Sequence, residues 1–341
     1  MNLTPIHVRG RRKPPKSTAP PIQQPGKARR SVQDVKVSRH TRRQRASLES
    51  LPQEILESIL LYSCNVALPR ASLIIGAKLS GRATLIRLFI WGFHETWDQW
   101  FGIPTSKEIF HGPHLRNSED VACDGDAQFQ SALLNLPWAT IDFILQAQQT
   151  WADHYAQDRW YQHSVPWFDK ALSPTNHDHS GGRGHFDARA CFDADYAQFQ
   201  HWPPFQAEQI SWTTQDVHPR VRLPTSLITG PWDEEKLRRL FWLFRGGIEL
   251  DSDAAALPLW EDRIECLHNA VLDVSEPNVL VANCLLRGWL FTDLPQDVMR
   301  REVYELEKRI EWGDDSEEGL VILRRTLDAL QFHLHLPDFK A

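Results

Sequence analysis

The sequence predicts a mainly α protein with three parts: a disordered basic arm, a module of short helices, and an α-rich body with long irregular loops. Three observations predict it. Residues 1–47 hold 13 Lys/Arg against one acid, Asp34, a charge of +12 that leaves −18 for the rest of a chain whose net charge is −6. All 14 Trp stand at or beyond Trp91, and the first 47 residues contain six Pro and no aromatic, so they have nothing with which to close a core. Beyond them, apolar residues recur at spacings of three and four, the period of a helix. A chain of 341 residues, 42% hydrophobic, is long enough for one or two domains, and the parts divide as 1–47, 48–90 and 91–341.

The helical pattern begins sharply with Leu51-Pro52-Gln53-Glu54-Ile55-Leu56-Glu57-Ser58-Ile59-Leu60-Leu61-Tyr62. At about 100° per residue, Leu51, Ile55, Leu56, Ile59, Leu60 and Tyr62 share one half of a helix. Gln53, Glu54, Glu57 and Ser58 fill the other. Leu61 falls off this stripe, and its simplest use is an external contact. Ser50 and Gln53 have the spacing of a capping box, and Pro52 falls in the first turn, where its missing N–H costs no helical bond. Asn65, Pro69 and Gly76 then punctuate Leu68, Leu73, Ile74, Ile75 and Leu79, so short packed turns are expected.

From Trp91 to Phe101 the composition turns aromatic, and a helix is expected from about Leu136 to Tyr161 on the spacing of Ile141, Leu145, Trp151 and Tyr155. Residues 164–232 carry seven Pro and the run Gly181-Gly182-Arg183-Gly184, which predicts long loops with few regular elements. Asp233 can cap a helix striped by Leu237, Leu240, Phe241 and Phe244, ended by Gly246 and Gly247. Two more stripes follow: Met299, Val303, Leu306 and Ile310, then Leu320, Leu323, Leu327, Leu330 and Leu334. Gly313-Asp314-Asp315 between them offers a stop and an N-cap, the pattern of an antiparallel helical hairpin. No repeat with a period of 20–50 residues is present.

Catalytic chemistry finds little to work with. The five cysteines (Cys64, Cys123, Cys191, Cys266, Cys284) lie 59, 68, 75 and 18 residues apart, without the close pairs of a zinc cluster or the density of a disulfide framework. Reduced thiols are expected, and no bound cofactor or metal. The strongest enzyme candidate is His177-Asp178-His179 with His185-Phe186-Asp187, flanked by Cys191, Asp193 and Asp195. Its H-x-D spacing is shared with carboxylate–histidine iron sites, but a third ligand cannot be nominated among 15 His. Phosphate-cradling glycine motifs and nucleophile elbows are absent. No apolar run of membrane-spanning length exists, nor an apolar leader, so neither membrane insertion nor secretion is expected.

The run Leu51-Pro52-x-Glu54-Ile55-Leu56-x-x-Ile59-Leu60, followed by Leu68-Pro69-Arg70-Ala71-Ser72 and Leu79-Ser80, resembles an F-box. More particularly the chain resembles fungal F-box-containing proteins in which a Trp-rich region and a helical C-terminal part follow. The likeness covers about 40 residues, near Ser47 to Arg87; the Lys-x-Trp ending of the motif is replaced by Lys78-Leu79-Ser80. It implies a three-helix module that docks on the Skp adaptor of an SCF (cullin-RING) ubiquitin ligase while the rest of the chain recruits a protein substrate. The chain itself would be non-catalytic. The adaptor-contact residues implied are Leu51, Pro52, Ile55, Leu56, Ile59, Leu60, Leu68, Pro69, Leu73, Ile75 and Leu79, of which some must instead hold the module together. In the arm, Arg9, Arg11, Arg12 and Lys13, then Lys27, Arg29 and Arg30, then Arg39, Arg42, Arg43 and Arg45 are candidates for nuclear import signals read by an import receptor. Without interleaved aromatics, nucleic acid is not expected as a partner. The expected location is nuclear or cytoplasmic. A helical scaffold without a ligase link is the competing reading.

Overall fold

The computed structural model describes residues 47–101, 123–156, 186–206, 215–250 and 257–335. Residues 1–46, expected as a basic arm, and residues 177–185, expected as a loop, lie outside the described residues. The chain divides between Ser50 and Leu51. Of the first unit, Leu48–Ser50 form a 3-10 turn in which the Ser50 hydroxyl donates to the Ser47 carbonyl (2.6 Å) and Glu49 N–H donates to Ser47 Oγ. The capping box expected from Ser50 and Gln53 is therefore not formed. Ser50 is spent on its own turn, and the first helix begins at Gln53 with Pro52 at the N-cap and no side-chain cap.

Among its described residues the second unit has twelve α-helices and no strand, the mainly α fold that the periodicity predicts. Helix α1 (Gln53–Ser63) is followed by a 3-10 turn (Leu68–Arg70), α2 (Leu73–Leu79) and α3 (Arg82–Trp100). Ser72 caps α2 by accepting from Ile74 N–H, and Gly76 lets α2 press on the 3-10 turn, since a Cβ there would stand 2.7 Å from the Pro69 carbonyl oxygen. Lys78 Nζ donates to the Leu51 carbonyl at 2.8 Å, tying the end of α2 to the approach of α1. The 19 residues of α3 cross the boundary expected at residue 90, so module and body share one continuous helix.

The helix expected from about Leu136 begins later, at Ile141, and a separate helix precedes it. Helix α4 (Ala127–Leu134) is capped by Asp126, and α5 (Ile141–Tyr155) by Thr140. Pro137 lies between them, lacking an N–H and disfavouring helical backbone at Leu136, which breaks the pattern. Residues 157–161 of the expected helix lie outside the described residues. On α3, Phe89, Phe93 and Trp97 stack in sequence, with centroids 4.4 and 5.5 Å apart. Gly92 lies flush against α4, where a Cβ would come 2.5 Å from Leu133 Cδ1.

Helix α6 (Ala188–Phe199) occupies a stretch expected to be irregular. Its apolar stripe Phe192, Tyr196 and Phe199, spaced four and three apart, packs its rings on Phe241 and outweighs the surrounding Pro and Gly. After the short α7 (Thr225–Ile228), α8 (Glu234–Arg245) is capped by Asp233, which accepts from Lys236 N–H at 2.8 Å. It ends at Gly246, with Gly247 at φ +90°, as the sequence predicts. Helix α9 (Trp260–Leu267) runs into a π-helical turn (His268–Leu272), then α10 (Val279–Leu285).

Helices α11 (Gln296–Trp312) and α12 (Glu317–His335) form the expected hairpin, packed on each other across a four-residue link. The cap of α12 is Ser316, whose hydroxyl accepts from Gly319 N–H, not Asp314 or Asp315. Asp315 is instead paired with Arg309, whose guanidinium also donates to the carbonyls of Val271, Leu272 and Val274 and so closes the end of the π turn.

Deep in this unit Arg245 (5% exposed) meets two buried carboxylates, Asp195 at 2.6 Å and Asp216 at 2.8 Å. Gln148 Nε2 donates to Asp216 Oδ1, and the Trp97 indole donates to the Asp216 carbonyl. Burial pushes the Asp216 carboxyl above its ordinary pKa despite the nearby guanidinium. Burial works against the charge of Arg245, and the two carboxylates more than offset it, raising its pKa. Among the described tryptophans, Trp97, Trp151, Trp242 and Trp289 are fully buried, whereas Trp91, Trp260 and Trp312 are exposed.

Candidate docking surface

The apolar arc of α1 is wider than the core needs, and the fold splits it. Leu56 and Leu60 point inward and are fully buried. Leu51, Ile55, Ile59 and Tyr62, spaced four, four and three apart, form the outer edge: Leu51 and Ile59 are half-buried, Ile55 is 49% exposed and Tyr62 is 82% exposed. Trp91, one helix away on α3, meets Tyr62 edge-on with ring centroids 6.0 Å apart, extending the strip. Arg87 Nε to Glu57 Oε1, at 2.6 Å, locks α3 to α1 beside it.

A second apolar feature adjoins the start of α2. Leu73, 95% exposed, and Ile74, 51% exposed, stand at the edge. Leu73 and Pro69 help line a groove of about 650 Å³ whose floor includes Leu79, Leu85 and Leu88 and whose far wall is Leu136 and Trp138. Residues 51–91 carry four cations, Arg70, Lys78, Arg82 and Arg87, against Glu54 and Glu57, a local excess of positive charge within a strongly acidic body. An apolar strip in a positive surround can exclude water against a second protein with an apolar face and acidic margins. Burying an aliphatic side chain of this size contributes about 1.5–3 kcal/mol.

The residues implied for adaptor contact separate accordingly. Ile55, Pro52 and Leu73 are exposed, and Leu51, Ile59 and Pro69 are partly so. Leu56, Leu60, Leu68, Ile75 and Leu79 are buried in the core, where they hold the module together. Leu61 is half-buried against the core rather than free for an external contact. Sequence reasoning missed Ile74, Tyr62 and Trp91 as surface residues. One signal was present: Leu73, Ile74 and Ile75 are consecutive on a seven-residue helix, and a single inward face cannot take all three.

No protein-family model, no curated protein and no solved structure matches the chain.

The alternative centre dissolves where it can be seen. Asp187 is the N-cap of α6, its Oδ1 accepting from Ala190 N–H at 2.9 Å. Asp193 pairs with Arg238, Asp195 with Arg245, and Cys191 is buried. Among the described residues no group of three His, Cys, Asp or Glu is arranged to hold a metal ion. His177, Asp178, His179 and His185 lie outside the described residues, as do the arm's Lys27, Arg29, Arg30, Arg39, Arg42, Arg43 and Arg45. No helix among the described residues is long and apolar enough to cross a membrane.

Proposed function

We propose that residues 51–91 are an F-box-like docking module for the Skp adaptor of an SCF ubiquitin ligase, and that the remainder of the chain recruits a protein for ubiquitination. On this reading the chain is a non-catalytic subunit acting in the nucleus or cytoplasm, with its basic arm offered to an import receptor. The observation that carries the reading is the division of α1. The stripe Leu51, Ile55, Ile59, Tyr62, joined by Trp91, remains partly or largely exposed at the edge of a core in which Leu56 and Leu60 are fully buried. Two apolar stripes on one short helix are what a helix between its own core and a partner requires.

Leu73→Asp and Ile55→Asp test it directly. Both side chains are exposed, so charged replacements spare the fold, whereas Ile59 packs partly on the core and its substitution would confound the two. Purified adaptor should be captured by the wild-type chain and lost by about tenfold or more in each variant, with unchanged thermal unfolding. Undiminished capture by folded Leu73→Asp and Ile55→Asp protein, or no capture by wild type, sinks the docking reading and leaves a helical scaffold without a ligase link.

A further inference from the structure

A cleft on the body carries a recognition chemistry that the docking module does not use. Its first wall is the stretch from Val217 to Leu223, which makes a turn at His218–Val221, closed by Val221 N–H donating to the His218 carbonyl at 3.0 Å, and runs beside the turn after α8. Val217 N–H donates to the Gly246 carbonyl at 3.1 Å, and Glu249 N–H to the Pro219 carbonyl at 3.0 Å. From this turn onward burial alternates: Val221 and Leu223 are buried while Arg220 and Arg222 project outward. Arg220 N–H donates to His218 Nδ1 and Arg222 N–H to Ser131 Oγ. The wall is therefore held in place before any ligand arrives.

Both arginines line a cleft of about 280 Å³ with Leu257, Leu259 and Trp289. That is just below the range of about 300–1,000 Å³ of small-molecule clefts, room for one or two side chains. Neither guanidinium has a hydrogen-bond or ion-pair partner among the described residues. Leu259 is 69% exposed at the edge. Two carboxylates also line the cleft: Glu249, which is already engaged, and Asp262. Two cations without a partner among the described residues, beside an apolar floor and on a body that is otherwise strongly acidic, select a ligand with one anionic group next to one bulky apolar group. Asp262 repels an anion seated in the wrong register.

We infer that this cleft binds a short extended peptide in which an acidic side chain neighbours a large apolar one. The anion pairs with Arg220 and Arg222, and the apolar side chain covers Leu259 and Trp289. The anion can be a carboxylate or a phosphate, since guanidinium pairs with either. The site is separate from the strip on α1 and requires no adaptor, so failure here leaves the docking reading standing, and the reverse.

The test uses the full chain and fluorescein-labelled seven-residue peptides with one phenylalanine beside glutamate, phosphoserine or lysine, followed by anisotropy. The glutamate or the phosphoserine peptide should saturate, and whichever binds more tightly identifies the source of the anion. The lysine peptide should bind at least about tenfold more weakly. Arg220→Ser/Arg222→Ser should weaken the acidic peptide by about tenfold or more, whereas Asp262→Asn should tighten it, an opposite sign that general damage to the fold cannot produce. All three sites are at least partly exposed, and unchanged thermal unfolding serves as the control. Equal binding of the lysine peptide, no saturation by either acidic peptide up to about 1 mM, or undiminished binding by the double variant overturns the inference.

Discussion

Replacing Arg245 with methionine removes one charge from a site that holds three and leaves the volume nearly filled. The side chains of Asp195 and Asp216 are 0% and 2% exposed, so water cannot take over the role of the guanidinium. Breaking a buried ion pair by removing one partner costs about 3–5 kcal/mol, roughly 6–15 °C in Tm at about 2–3 °C per kcal/mol for a chain of this size. The pH dependence is the sharper signature. The Asp216 pKa is already raised by burial, and loss of the cation raises it further. The folded state then binds a proton at pH values where the unfolded carboxyl, near about 3.9, has released it. Where the folded state binds more protons, stability falls as pH rises. Arg245→Met should therefore regain stability on acidification from neutral pH toward the ordinary carboxylate range, more steeply than wild type. Arg245→Met/Asp216→Asn, with one carboxylate neutralised and the Gln148 contact to Oδ1 retained, should recover part of the loss and flatten the slope. Differential scanning calorimetry between about pH 5 and 8 reads both quantities. An unchanged Tm in Arg245→Met, or a loss independent of pH, would refute the assignment of this cluster as a dry, charge-compensated centre.

Gly92→Ala should lower stability by about 1–3 kcal/mol through overpacking, because the new methyl meets Leu133 and Phe129 at the α3–α4 contact; a Tm equal to wild type would mean that the helices separate freely. Ellman's reagent should react in the native chain with the half-buried Cys64 and, more slowly, with the half-buried Cys123, whose thiol is pushed up by burial and by the nearby Glu249 and Asp124 carboxylates. Cys191, Cys266 and Cys284 should react only after denaturation, since they are buried and burial pushes the thiols of Cys266 and Cys284 far up. Mass mapping of labelled peptides identifies which thiols react, and fast labelling of Cys266 or Cys284 would contradict the packing of α9 and α10.

What could be read from the sequence was what depends on neighbours a few residues apart. Asp233 capping α8, the Gly246–Gly247 stop and the two stripes of the α11–α12 hairpin are all local signals, and the structure has each of them. Competing local uses of the same residue were harder to read. Ser50 could cap a helix or close its own turn, and Asp187 could ligate a metal or cap α6; the backbone bond a few residues away claimed both side chains. Hidden altogether were effects settled by distant packing. The helix from Arg82 to Trp100 was masked by its aromatic density, although Leu88, Phe89, Gly92, Phe93, Thr96 and Trp97 recur at three and four. The division of α1 into an inner and an outer stripe depends on where α2 and α3 lie. Arg245, Asp195 and Asp216 come from well-separated stretches of chain, and no spacing in the sequence announces that they meet.

Helix α3 is about 28 Å long at 1.5 Å per residue, and it carries Trp91 on its surface while burying Phe89, Phe93 and Trp97. A joint made of loop would let the two ends swivel; a continuous rod seated along its length in the core does not. A protein held on the strip at Ile55 and Tyr62 and one held elsewhere on the body would thus be presented to each other at a set distance and angle, with orientation fixed by the covalent backbone rather than by chance encounter. Inserting two or three glycines in α3 would relax that geometry, leaving each surface able to bind and removing the alignment between them.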